Sequence, residues 1–245
     1  MSVLVVIPAR YGSVRFPGKP LAMLQGKPVI QHVYEQAAKT TRASAVVVAT
    51  DDARIREAVE RFGGTVVMTS PTLQSGTERA AEVARARSEE VVINVQGDEP
   101  LVQPDMVDAL AEFLERHRAA PMASLMTKLA RAEDAANPNV VKVVVDRDGF
   151  ALYFSRAPIP YDRSQTAPQQ WKHLGIYGYQ RHFLLQFPSL PPTPLAQCES
   201  LEQLRALEHG YRIKLLETIH DTIGVDTPED LRRVETLLAG VKREA

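Results

Sequence analysis

Arg10, Arg15 and Lys19 fall within one stretch, IPARYGSVRFPGKP (7–20). Cations confined to one loop repel one another unless an anion or carboxylate joins them, and a polyphosphate would do so. Gly12 and Gly18 let backbone N–H groups approach such an anion, while Pro17 and Pro20 restrict the loop. The stretch is not a Walker A loop, because five residues separate Gly12 from Gly18 and Pro20 follows Lys19 where Ser or Thr is needed. Its plain alternative is a solvated basic surface loop.

Two carboxylates could hold a cation against that phosphate. Asp98 follows the apolar strand in VVINVQGDEP (91–100) and Asp226 stands in GVDTPEDL (224–231). Magnesium takes oxygen ligands, typically one or two protein carboxylates with phosphate oxygens. Each aspartate also has a purely structural reading. Asp98 suits a turn before Glu99-Pro100, and Asp226 suits the N-cap of a helix begun by Pro228, although Thr227 can cap instead. In QSGTER (74–79), Ser75, Gly76 and Thr77 open a helix and either meet a ligand or cap it. Arg79, one turn in, either approaches a nucleotide or pairs with Glu82 at i+3.

The elements that must position these residues read as an α/β domain. Residues 3–7, 45–49 and 91–95 are apolar, β-branched runs that suit strands covered on both faces. Helical spacing over 28–39, 52–62, 76–86 and 104–118 alternates with them, which predicts a parallel sheet with right-handed crossovers. In such sheets ligands bind at the C-terminal ends of strands, where the basic loop and Asp98 stand. Later the rhythm changes. Residues 122–129, 140–146 and 151–155 are strand-like, with Asp148-Gly149 as a hairpin signal, so the sheet becomes mixed. The proline- and aromatic-rich span 157–194, with a strand at 173–179 inside it, reads as part of an added arm over 150–200. A helix over 228–239 follows the strand-like 223–226.

The chain has 245 residues, 44% hydrophobic and 24% charged, with a net charge of −1. These are globular values within the size of one domain, and they disfavour a protein that coats nucleic acid. The one cysteine, Cys198, cannot form an internal disulfide, and no zinc-type spacing involves it or His32, His117, His182 and His209. A cytoplasmic setting is expected. The N-terminal apolar run lacks a basic flank and is short, which predicts neither an export signal nor a membrane anchor.

Taken in order, the basic loop, ATDD (49–52), QSGTER, NVQGDEP (94–100), NPNVVKVV (137–144), ALYFSRAPIP (151–160), HLGIYGY (173–179), LEQLRAL (201–207) and GVDTPEDL resemble one family nearly end to end. It is the 3-deoxy-manno-octulosonate (Kdo) cytidylyltransferases, or CMP-Kdo synthetases. The resemblance implies a single domain with a three-layer, Rossmann-like nucleotide-diphospho-sugar transferase fold, its mixed sheet mostly parallel. It also implies a Mg2+ requirement, CTP and an acidic eight-carbon sugar as substrates, a homodimer with a dimerisation or acceptor-side arm, and a place in lipopolysaccharide synthesis. On that mapping Arg10, Arg15 and Lys19 bind the triphosphate, with Ser75, Gly76 and Arg79 also on the nucleotide side. Asp98 and Asp226 hold the metal, and Lys19 offsets charge as pyrophosphate leaves.

The acceptor set implied by the resemblance is Gln96, Arg156, His173, Tyr177 and Glu202, with the Arg156 fork on the sugar carboxylate. Without the resemblance, Tyr177 reads as sheet packing, His173 as a hydrogen-bonded edge residue and Glu202 as a solvated helix face. The segment DRSQTAPQQWK before His173, and His220-Asp221 before GVD, declare no role. Three further readings remain: the same reaction on 8-amino-Kdo, transfer to another acidic sugar such as sialic acid, and a non-catalytic nucleotide-binding module.

Overall fold

The computed structural model describes residues 2–12, 15–129 and 131–244, so Ser13 and Val14 of the first loop lie outside it. The strands are β1 (Val3–Pro8), β2 (Met23–Leu24), β3 (Lys27–Pro28), β4 (Ala43–Thr50), β5 (Val66–Met68), β6 (Val91–Asn94), β7 (Met122–Lys128), β8 (Lys142–Val145), β9 (Ala151–Ser155), β10 (Trp171–Gln180) and β11 (Ile213–Glu217). The principal helices are α1 (Val29–Ala37), α2 (Ala53–Arg61), α3 (Gly76–Arg85) and α4 (Pro104–Arg116). After them come α5 (Ala132–Ala136), α6 (Arg181–Gln186), α7 (Pro194–Glu199), α8 (Glu202–Glu208) and α9 (Pro228–Glu244).

The main sheet runs β11-β7-β10-β6-β1-β4-β5, and all of these strands are parallel except β10. Alternation along β1 explains the three layers. Val3, Val5 and Ile7 face the layer of α1, α2 and α4, while Leu4 and Val6 face α3, α6 and α8. Burial on both faces is what the continuous apolar runs demanded. Close approach of α4 depends on Gly178 of β10, where a Cβ would lie 2.6 Å from Leu114 Cδ1.

Two expectations are corrected by the topology. The span 150–200 is not one appendage, because Trp171–Gln180 is an internal strand between β7 and β6. Only the β8–β9 hairpin and the loop after it stand to the side; β8 pairs with β9 and with the start of β10. The hairpin turns through Gly149 at φ 74°, with Asp146 N donating to Phe150 O at 2.8 Å. Residues 223–226 form no strand, and the strand before α9 is instead Ile213–Glu217, which closes the sheet beside β7.

β10 is irregular at its centre: its register against β7 shifts between Leu174 and Tyr177, around Gly175. Ser124 of β7 fills the distortion, with its Oγ 2.9 Å from His173 Nε2 and 2.8 Å from Ile176 O. Burial pushes the His173 imidazole down to about 3, so it is neutral at ordinary pH. Unfolded histidine titrates near ~6.5, so the unfolded chain binds the extra proton first as pH falls. This contribution to stability is therefore full above ~6.5 and is lost progressively toward the folded value near 3. His173→Asn should lose less urea resistance than the parent between about pH 7.5 and 5, and identical pH slopes for the two proteins would refute the buried neutral imidazole.

Candidate active site

The site lies at the C-terminal ends of β1 and β6. The first loop leaves β1 at Pro8, and Gly18 N donates to Tyr11 O at 2.9 Å to close it. Gly18 takes φ 73°, a left-handed conformation natural to glycine, and leads into a 3-10 turn, Lys19–Leu21. From β6 the chain turns through Gly97, where a Cβ would lie 2.7 Å from Pro8 O. Only glycine lets that turn close against β1 and set Asp98 beside Lys19.

Asp226 arrives from the far end of the sequence. Val225 N donates to Asp98 O at 2.8 Å, and Val225 and Val234 form a small core with Leu24 and Val29 beside the first loop. The capping question is settled by Thr227: its Oγ1 accepts from Asp230 N at 3.2 Å while Asp230 Oδ2 accepts from Thr227 N at 2.9 Å. The Asp226 side chain is thereby left for the site.

Lys19 Nζ donates to Asp98 Oδ2 and, at 2.9 Å, to Asp226 Oδ1. Arg15 Nη2 donates to Asp226 Oδ2 at 2.8 Å. Burial works against the Lys19 charge, but the Asp98 carboxylate and hydrogen bonds to both aspartates hold its pKa above the ordinary lysine value. Two carboxylates converging on one ammonium also fit one divalent cation. Among the described residues no three His, Cys, Asp or Glu side chains are grouped to hold a metal unaided. The donor set accordingly matches an ion whose remaining ligands are phosphate oxygens or water, as magnesium prefers.

Two clefts meet at this cluster. The first, about 220 Å³, is walled by Arg10, Lys19, Ser75, Gly76, Gln96 and Asp98. Arg10 is exposed there and has no hydrogen-bond or ion-pair partner among the described residues. The second, about 480 Å³, is reached past Arg15 and Asp226 and includes Lys172, His173, Tyr177 and Gln203. Burial, with the Glu202 carboxylate nearby, pushes the Tyr177 phenol well up, so it keeps its proton.

The expected nucleotide set is partly redistributed. Ser75 caps α3, accepting from Glu78 N at 3.1 Å in a capping box, and presents the helix end to the first cleft. Arg79 lines that cleft, but its guanidinium donates to Asp51 Oδ2 at 2.6 Å and Thr69 Oγ1 at 2.7 Å. It does not pair with Glu82, which accepts from Ser70 N at 3.0 Å instead. The i+3 partner lost because the ends of β4 and β5 offer Arg79 a half-buried carboxylate and a buried hydroxyl. Arg15 faces the second cleft rather than the first.

The expected acceptor set is divided too. Gln96 belongs to the first cleft, whereas His173 and Tyr177 line the second. Glu202 accepts from Thr77 Oγ1 at 2.6 Å and from Arg205 at 3.2 Å, tying α8 to α3. Arg156 is not among the residues lining either cleft. Its Nε donates to Glu199 O at 2.8 Å and its Nη1 to Pro138 O at 2.9 Å. Together with buried Lys142, which donates to Asn137 O and Val140 O, it braces the loop that walls the second cleft.

Sequence reasoning passed over Glu99, Lys172 and Gln203. Burial, with the Asp98 charge beside it, pushes the Glu99 carboxyl up to about 7, and its Oε2 is buried without a hydrogen-bond partner. Gln203 Nε2 is likewise buried and unpartnered at the second cleft. Their sequence signals were slight: a carboxylate next to Asp98, and a glutamine next to Glu202.

Known proteins share this sequence and fold. The cytidylyltransferase family model matches residues 4–217. A 3-deoxy-manno-octulosonate cytidylyltransferase of Geobacter sulfurreducens is 49% identical over 96% of this chain and 98% of its own. That of Syntrophotalea carbinolica is 51% identical over 98% and 100%. A solved CMP:2-keto-3-deoxy-manno-octonic acid synthetase complexed with CTP superposes with a TM-score of 0.94 at 45% identity, covering 98% of this chain and 99% of that one. A 4-diphosphocytidyl-2C-methyl-D-erythritol synthase from Anaerococcus prevotii, 12% identical with a TM-score of 0.66, shares the fold. With about half its residues shared along nearly its whole length, the chain belongs to the family of the 3-deoxy-manno-octulosonate cytidylyltransferases.

Proposed function

We propose that the chain transfers CMP from CTP to the anomeric 2-hydroxyl of Kdo, giving CMP-Kdo and pyrophosphate. One observation carries this reading: two clefts, one phosphate-suited and one with Arg15 and Arg233 among charged groups of both signs, meet at the Lys19–Asp98–Asp226 cluster. CTP occupies the first cleft, its triphosphate held by Arg10, Lys19 and the N-terminus of α3. The acidic sugar occupies the second, where Arg15 and Arg233 supply positive charge and His173 and Tyr177 supply neutral hydrogen-bonding surface.

In the reaction the sugar's hydroxyl oxygen bonds to the α-phosphorus, the bond from that phosphorus to the bridging oxygen breaks, and the hydroxyl proton is released. No covalent enzyme intermediate is needed, so the protein's work is orientation and charge stabilisation. Asp98 and Asp226 would hold Mg2+, which supplies charge neutralisation at the phosphates and lowers the pKa of the attacking hydroxyl. Lys19 then exchanges its aspartate partners for phosphate oxygens, following the negative charge as it shifts toward pyrophosphate.

The family also supports a homodimer acting in the cytoplasm and supplying lipopolysaccharide synthesis. Among the described residues no helix is long and apolar enough to cross a membrane. Light scattering on the purified chain checks the dimer.

Pyrophosphate release with magnesium tests the reaction. CTP with Kdo, or with its 8-amino analogue, should give product, whereas sialic acid, no sugar, or ATP, GTP or UTP should not. No release with any pair would leave a nucleotide-binding module. Asp98→Asn should lower turnover by roughly a hundredfold or more, the scale of one lost transition-state contact, and near-parental turnover at saturating magnesium would overturn the metal assignment. Arg156→Lys should lower stability by about 1–3 kcal/mol, since its carbonyl partners are left without the fork, with both KM values little changed. A selective rise in the sugar KM without loss of stability would return Arg156 to the acceptor carboxylate.

A further inference from the structure

Asp226 is carried on residues 218–227, which join β11 to α9 without regular structure. Tertiary bonds must therefore fix its position. Main-chain bonds hold the two ends: Thr218 N to Met126 O at 2.9 Å, and Val225 N to Asp98 O at 2.8 Å. Between them, Lys172 Nζ donates to Asp221 Oδ1 at 2.6 Å and to Thr222 O at 2.9 Å. A little further out, His220 Nε2 lies 2.7 Å from Asp105 Oδ2.

Lys172 differs from an ordinary surface cation. It stands on internal strand β10, opposite Thr127 of β7, and its side chain is only 20% exposed. An exposed ion pair contributes little because water competes and two mobile side chains must be ordered. Here a fixed stem makes two charge-assisted bonds to neighbouring residues of one strap, and one of them is to a backbone carbonyl that cannot swing away. The surroundings also need the charge, since Asp98, Glu99, Asp221 and Asp226 gather at this end of the sheet.

We propose that Lys172 is a positioning residue for the reaction: by holding Asp221 and Thr222 from β10, it sets where Asp226 stands relative to Asp98 and Lys19. The proposal rests on the assignment of Asp98 and Asp226 as the metal pair. It also gives His220-Asp221 a role, as the outer anchorage of the strap. Direct contact between Lys172 and the acidic sugar is the competing role, since Lys172 also lines the second cleft.

Full-length Lys172→Met, Lys172→Arg and Asp221→Asn separate these roles. In metal-free hydrogen exchange, Lys172→Met should speed exchange of amides 222–226 while those of β1 and β6 stay protected. In the pyrophosphate assay its magnesium requirement should rise roughly tenfold, the scale of one charge-assisted hydrogen bond, with the sugar KM little moved. Lys172→Arg should restore most of the loss. Asp221→Asn should shift both readouts the same way by less, and the Lys172→Met/Asp221→Asn pair should fall short of the sum of the single effects. Unchanged exchange at 222–226, or a higher sugar KM with an unaltered magnesium requirement, would overturn the proposal. Should Lys172→Met fail to fold, Asp221→Asn removes the charge from one bond of the pair and bears the same two outcomes. Asp226→Asn in the same assay tests the metal assignment separately, because the metal-free exchange result does not depend on it.

Discussion

The shared ammonium of Lys19 is the constraint around which the site is arranged. It lies between Asp98, at the end of β6, and Asp226, delivered by the strap before α9. Without it, two carboxylates would face each other in a half-buried crevice beside Glu99, whose own carboxyl is already pushed up by burial and by Asp98. Charge balance at this point ties together three parts of the chain that are distant in sequence. In the proposed reaction Asp98 and Asp226 would hold a divalent cation, and Lys19, released from them, would be free to meet a phosphate.

The two clefts divide the chemistry on either side of that cluster. In the first cleft the groups offered are cationic or backbone donors, with Arg10 without a partner among the described residues and α3 capped by Ser75 so that its N-terminus is presented intact. In the second cleft, His173 and Tyr177 are both held uncharged by burial. Neutral hydrogen-bonding groups suit sugar hydroxyls, and the positive charge an acid needs comes from the wall. Arg156 and Lys142 work behind that wall, holding main-chain carbonyls of the 137–140 loop and of the α7–α8 junction.

Several small features make the convergence possible. Gly97 allows the Asp98 turn to close on the end of β1, and Gly18 turns the basic loop back toward it. Thr227 takes over the capping of α9, which would otherwise occupy Asp226. The apolar contacts of Val225 and Val234 with Leu24 and Val29 dock the C-terminal segment beside the first loop. The two glycines and the cap are local in sequence, but with the apolar docking they act on the distance between groups about two hundred residues apart, such as Arg15 and Asp226.

The central strands, the α/β alternation, the basic loop and the two carboxylates that meet at Lys19 were legible in the sequence, because they rest on near-neighbour patterns: β-branched runs, helical spacing, glycines, and charge at a strand end. The placement of 173–179 was not legible. An antiparallel strand inside a mostly parallel sheet is chosen by which neighbours it meets, and its proline-rich flanks suggested an arm. Nor could the sequence say whether Asp226 would cap a helix or face Lys19, since both uses draw on the same oxygens and the choice fell to Thr227. Arg156, Arg79 and Lys172 show the same limit most clearly. A long cationic side chain reaches several partners, and only the folded chain shows which carbonyls and carboxylates lie close enough to take it.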